Sequence, residues 1–145
     1  MDASRRQPWV AVIVLVGVAY AVIGVGSAAL DDAVWAGGWR PWRVAAWAAS
    51  LAVAATHVGY ELYRLGSAPG RTARHAAAAV AIGALGIALG ANVHWLRTHT
   101  PGQPAPPAPL LALPLFPLIT AIPAYLGAFA VATLLTRLSR RGRVA

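Results

Sequence analysis

Four apolar stretches alternate with short polar segments along the chain: Trp9–Leu30, Val44–Tyr63, Ala76–Leu96 and Leu110–Leu135. Each is long enough to cross a hydrocarbon layer of about 30 Å, which takes roughly 20 residues of helix. Soluble cores do not require four such runs in succession. The pattern predicts an all-α, polytopic membrane protein: a single domain spanning residues 1–145, with four transmembrane helices at about 9–30, 44–63, 76–96 and 110–135. The first run exceeds the length of a signal-peptide core and lacks a convincing cleavage site, so it reads as a retained helix.

The polar segments set the orientation. Arg5 and Arg6 precede the first span, Arg64, Arg71 and Arg74 lie between the second and third, and Arg137, Arg140, Arg141 and Arg143 follow the fourth. The other two loops carry only Arg40, Arg43 and Arg97, with Asp31 and Asp32 beside the first two. Arginine-rich loops stay on the cytoplasmic side, so both termini are expected inside and the chain in the bacterial inner membrane. Trp9, Trp35, Trp39, Trp42, Trp47 and Trp95 cluster near the span ends, as aromatic belts do.

Loop composition predicts connections of different kinds. Gly37-Gly38 and Pro41 read as a turn followed by a helix start, and Gly66-Ser67-Ala68-Pro69-Gly70 as a tight turn that pairs the second and third helices. Between Thr98 and Pro109, the prolines at 101, 104, 106, 107 and 109 favour an extended polyproline-like segment. Pro114, Pro117 and Pro123 remove backbone donors inside the fourth span, which is expected to be kinked or partly unwound in its outer half.

Small residues draw two stripes. Ala76, Ala79, Gly83, Gly86 and Gly90 recur at helical spacing in the third span, and Ala48, Ala52, Ala55 and Gly59 in the second. In lipid, close backbone approach supplies helix packing, so each stripe is a candidate seam. The two are expected to face each other or another helix.

Composition narrows the chemistry. The chain is 59% hydrophobic and 11% charged, and it contains no cysteine, which excludes disulfides, thiolate metal sites and a cysteine nucleophile. A net charge of +8 would suit a nucleic-acid binder only if the arginines formed a patch on a water-exposed domain. Here they punctuate apolar spans, so nucleic acid is not an expected partner. No phosphate-binding loop, zinc motif, nucleophile elbow or carboxylate pair is present, and a non-enzymatic role is expected.

His57, Tyr60, Glu61 and Arg64 fall at i, i+3, i+4 and i+7 of the second span, making one face polar near the inner boundary. Glu61 is the only acid inside a span, and intramembrane ionisable groups usually pair or serve transport. It lies only about 5 Å from the boundary, and His57 about 10 Å, at 1.5 Å per residue. Glu61 therefore reads either as a pin, paired with Arg64, Arg71, Arg74 or His75, or as a proton, ion or headgroup site. The basic cluster of Arg64, Arg71, Arg74 and His75, and the arginine-rich tail, could each contact phosphate-bearing lipid. No second histidine shares the depth of His57, which argues against bis-histidine haem. A single axial ligand to haem or a chlorophyll-type pigment would be His57 or His94.

Two functions of different class follow. One is an accessory or scaffold subunit of a larger integral membrane complex, photosynthetic or respiratory, whose partners are lipids and other membrane subunits or further copies of the chain. The other is a small transporter, channel or lipid-binding protein that uses the His57/Glu61 face.

Overall fold

The computed structural model describes residues 8–34, 40–98 and 108–141, with backbone alone at 8, 32–34, 108 and 109. Helix α1 runs Pro8–Val34, α2 Pro41–Tyr63, α3 Pro69–Thr98 and α4 Ala108–Arg141. The Gly37-Gly38 turn, the proline-rich segment after Thr98 and the terminal Arg5, Arg6 and Arg143 lie outside the described residues.

The helices overrun the apolar stretches because polar residues also join them. A proline opens each of the first three, where its fixed φ suits the first turn and its missing N–H leaves nothing unpaired. Beyond the end of α2, Gly66 takes φ +60°, the left-handed conformation that glycine adopts without penalty, and the chain reverses. Ser67 N–H then donates to the Glu61 carbonyl at 2.9 Å.

α1, α3 and α4 are long and apolar enough to cross a membrane; α2 falls short of that measure. Its Trp47, Ser50, Thr56, His57, Tyr60 and Glu61 dilute the aliphatic residues between them. Size is distributed inside out. The core is alanine, at Ala73, Ala79, Ala84, Ala88 and Ala132, whereas Leu15, Leu51 and Leu118 are more than 60% exposed. Water would select the reverse, but lipid tails are as apolar as leucine and leave small residues to bring backbones together. Several hydroxyl and amide side chains bond back to their own helix, as Thr56 does to Ala52 O (2.8 Å), Thr136 to Ala132 O (2.7 Å) and Asn92 to Ala88 O (2.8 Å), whereas the buried hydroxyls of Thr72 and Thr133 have no hydrogen-bond partner.

α3 is the central helix, packed most extensively on α4 and then on α1. The tight turn before α3 was expected to make α2 its main partner; instead α2 touches α3 little and α4 least. Gly66 reverses the chain, but the seam on α3 has a better match in α1. A Cβ added at Gly83 would lie 2.5 Å from Tyr20 Cβ and 3.1 Å from the Gly17 carbonyl oxygen; one at Gly86 would lie 2.6 Å from Ala21 Cβ. Gly17 meets Ile82, and Gly90 meets Val25, so α1 and α3 run parallel in close contact. The stripe on α2 does not join them: Ala48, Ala52 and Ala55 are exposed.

α4 remains a single helix through Pro114, Pro117 and Pro123, with no unwound stretch. At the far end from the α2–α3 turn, Asp31 of α1 holds the start of α2. Its Oδ1 accepts from Trp42 Nε1 at 2.5 Å and its Oδ2 from Arg43 Nε at 2.9 Å, Arg40 at 3.0 Å and the second arm of Arg43.

Candidate functional site: a buried glutamate beside an open groove

Glu61 is completely buried in the last turn of α2. Its Oε2 accepts a hydrogen bond from Ser67 Oγ at 2.6 Å, and its Oε1 lies 2.8 Å from His75 Nδ1. A carboxylate oxygen accepts, so this contact is a hydrogen bond when His75 carries a proton on Nδ1. The His75 ring in turn stacks on Trp9, with centroids 5.0 Å apart and planes within 7°. One carboxylate therefore joins α2, the α2–α3 turn and α3, and through the stacked ring α1. An unpaired charge at that depth would be costly, and these donors offset it.

His57, one turn earlier, is 3% exposed. Its Nε2 lies 3.9 Å from Glu61 Oε1, beyond hydrogen-bond distance, and has no hydrogen-bond partner. The polar face is narrower than the sequence spacing implied. Each residue turns a helix by about 100°, so Tyr60 stands well round from Glu61 and is 39% exposed. Arg64, at the helix cap, reaches outward. The structure brings together His57 and Glu61 but not Tyr60 or Arg64.

His75 was one of several partners open to Glu61, and it takes that place over Arg64, Arg71 and Arg74, all exposed. Ser67 gave no signal, since a serine between glycine and proline reads as a turn former. Trp9 read as belt and is also the platform beneath His75. His94 is exposed, 19 residues along α3 from His75, or about 28 Å at 1.5 Å per residue, so it shares no site with His57. Among the described residues, no group of three or more His, Cys, Asp or Glu is placed to hold a metal ion. Of the small-residue series, Ala79, Gly83, Gly86 and Gly90 lie along α1, while Ala76 borders a cavity on the other side.

That cavity, of about 580 Å³, lies between α2 and α4. His57 and Gly59 of α2 face Pro123 and Gly127 of α4 across it, with Tyr20 and Val80 at its far end. A glycine stands on each wall among larger residues, and a Cβ added at Gly59 or Gly127 would meet nothing within 4 Å. Two further cavities adjoin it. One of about 530 Å³ shares Tyr20 and Val80 and continues toward Asp31 and Arg43. The other, of about 380 Å³, shares Tyr63 and Leu135 and ends among Ser67, Ser139 and Arg140. Volumes of 300–1,000 Å³ with apolar walls and a few polar groups are typical of small-molecule sites.

No protein-family model, curated protein or solved structure matches this chain.

Proposed function

We propose that this chain is a four-span integral membrane protein that binds a lipophilic molecule in the groove between α2 and α4. The observation that carries this reading is the cavity of about 580 Å³, apolar along its length, with His57 among the residues of its wall. A molecule dissolved in the bilayer would reach such a site sideways, without crossing water. Its hydrocarbon part fits the alanine and glycine walls, and a polar atom on it would meet the imidazole.

α2 crosses the membrane in this reading although it is less apolar than its neighbours. Its titratable pair inside the span, His57 and Glu61, is buried, so that protein rather than lipid surrounds it. Nine arginines in the two terminal segments and the second loop, against three in the other two loops, support an orientation with both termini on the cytoplasmic side of the inner membrane. Prolines bend helices, and Pro123 stands in the groove wall, so a kink in α4 there would set the width of the site. The role is binding rather than catalysis: the groove offers one histidine and no nucleophile beside it.

An accessory role in a larger assembly keeps one specific support. Ala45, Ala48, Ala49 and Ala52 of α2 are exposed together, a surface on which a partner helix could approach closely.

The test is quantitative extraction of tightly held lipophiles from the protein purified in mild detergent, comparing wild type with Gly127→Phe. The ring would fill the groove where a side chain meets no obstacle. Wild type should carry a stoichiometric lipophile and the variant none, with equal helicity. Equal content in both would overturn the reading.

A further inference from the structure

The pocket at the arginine-rich end of the groove differs in kind from the cavity it joins. Ser67, Thr136, Ser139 and Arg140 line it, together with Ala68 and Pro69, where α3 begins. Tyr63 and Leu135 line both cavities, so the two lie next to each other along α2 and α4.

Charge at this end has one sign. Glu61 is the one acidic side chain near the pocket among the described residues, and it is buried, with its oxygens engaged by Ser67 and His75. Arg140 stands in the wall, and the amino end of a 30-residue helix, with its partial positive charge, opens beside it. A guanidinium offers paired donors that match phosphate geometry.

Dimensions agree with this chemistry. From Arg140 to Pro123 is 17 residues of α4, or about 25 Å at 1.5 Å per residue. One leaflet, headgroup included, is about 20–22 Å deep. The groove therefore offers a cationic, hydroxyl-lined end at headgroup level and an apolar run one leaflet deep.

We propose that the two cavities form a single site for an anionic glycerophospholipid of the arginine-side leaflet, its phosphate on Arg140 and one acyl chain along Tyr63 and Leu135 toward His57. This rests on the groove being a lipophile site and names the lipophile. It also moves headgroup recognition away from Arg64, Arg71 and Arg74, which are exposed like Arg140 but line neither cavity.

The experiment is native mass spectrometry of the full chain, delipidated in neutral detergent and titrated separately with phosphatidylglycerol, with diacylglycerol, which lacks phosphate, and with glycerol phosphate, which lacks chains. Wild type should bind one phosphatidylglycerol at least about tenfold more tightly than diacylglycerol, and glycerol phosphate only weakly. Arg140→Ala should abolish that preference and leave diacylglycerol binding unchanged. Arg141→Ala, one position outside the pocket, should keep the preference, and circular dichroism should show both variants folded. Equal binding of the two lipids by wild type, or equal effects of the two arginine variants, would overturn the headgroup site and leave the groove standing. Glycerol phosphate binding as tightly as phosphatidylglycerol would make this a free-phosphate site and overturn the lipid assignment. Failure to bind either lipid would overturn the groove reading itself.

Discussion

The seam between α1 and α3 and the gap between α2 and α4 are made from the same residues, glycine and alanine, and do opposite things with them. In the seam, small residues on both helices interlock: Gly17, Gly83 and Gly86 each leave less than 3.0 Å to a neighbouring side chain for any added carbon. Across the gap, small residues face small residues with no neighbour inserted, and Gly59 and Gly127 look onto open space. A glycine therefore marks close packing only when the opposing helix presents something to fill the place it leaves. The first region gives the bundle its closest backbone packing, and any capacity to take a ligand lies in the second.

The largest effect expected from a single substitution is in the seam. Gly86→Leu would drive a branched side chain into Ala21, whose Cβ cannot move without its backbone. Overpacking of this kind costs about 1–3 kcal/mol, and here it would part α1 from α3. Thermal unfolding in detergent should fall by several degrees, with loss of the monodisperse peak on size exclusion. If Gly86→Leu unfolded like wild type, the contrast between seam and gap would collapse.

Glu61→Ala comes next, because it strands groups on two elements at once. Ser67 Oγ and His75 Nδ1 would lose their acceptor in a buried setting, at a cost of about 1–3 kcal/mol. Glu61→Gln, which keeps one acceptor oxygen, should lose less. Chemical denaturation in mixed micelles checks the order, and equal stabilities for all three proteins would show that the carboxylate does not tie the helix ends together. Tyr60→Phe, on the exposed side of the same turn, should change nothing.

Most of the fold is written in the length of the apolar runs, which place the ends of four helices within about a turn of where they lie, except the start of α3 and the end of α4. The exceptions have local causes. α3 begins at Pro69 rather than Ala76 because its first two turns bury Thr72 and Ala73 despite their charged neighbours. Helix partnership was not legible: a tight turn fixes which helices are consecutive, but the fit between two helix surfaces decides which pack, and that needs both surfaces. For the site, His57 and Glu61 stood out because charge inside a span is rare. Ser67 did not, because its role depends on a 14-residue excursion that returns His75 to the same carboxylate. The groove left no sequence signal of its own, since its walls have the composition of a packing seam.

A smaller effect is expected at the opposite end, where Asp31 gathers Trp42, Arg40 and Arg43. These groups are accessible to water, which weakens each bond. Asp31→Asn should leave global unfolding almost unchanged while raising amide exchange in the first turn of α2. Unchanged exchange there would mean that α2 is held by its Glu61 end alone.

No loss of stability is expected from Gly59→Leu, and it sharpens the comparison most. The new side chain would project into the gap, meeting no atom within 4 Å of its Cβ, and leucine suits a helix better than glycine by roughly 0.5–1 kcal/mol. Unfolding should therefore be unchanged or slightly later, the reverse of Gly86→Leu, although both replace glycine by leucine within a helix of the same bundle. The groove would meanwhile lose volume beside His57, and retained lipophile should fall with it. A Gly59→Leu protein as unstable as Gly86→Leu would mean that α2 and α4 close on each other in the membrane, leaving no groove to fill.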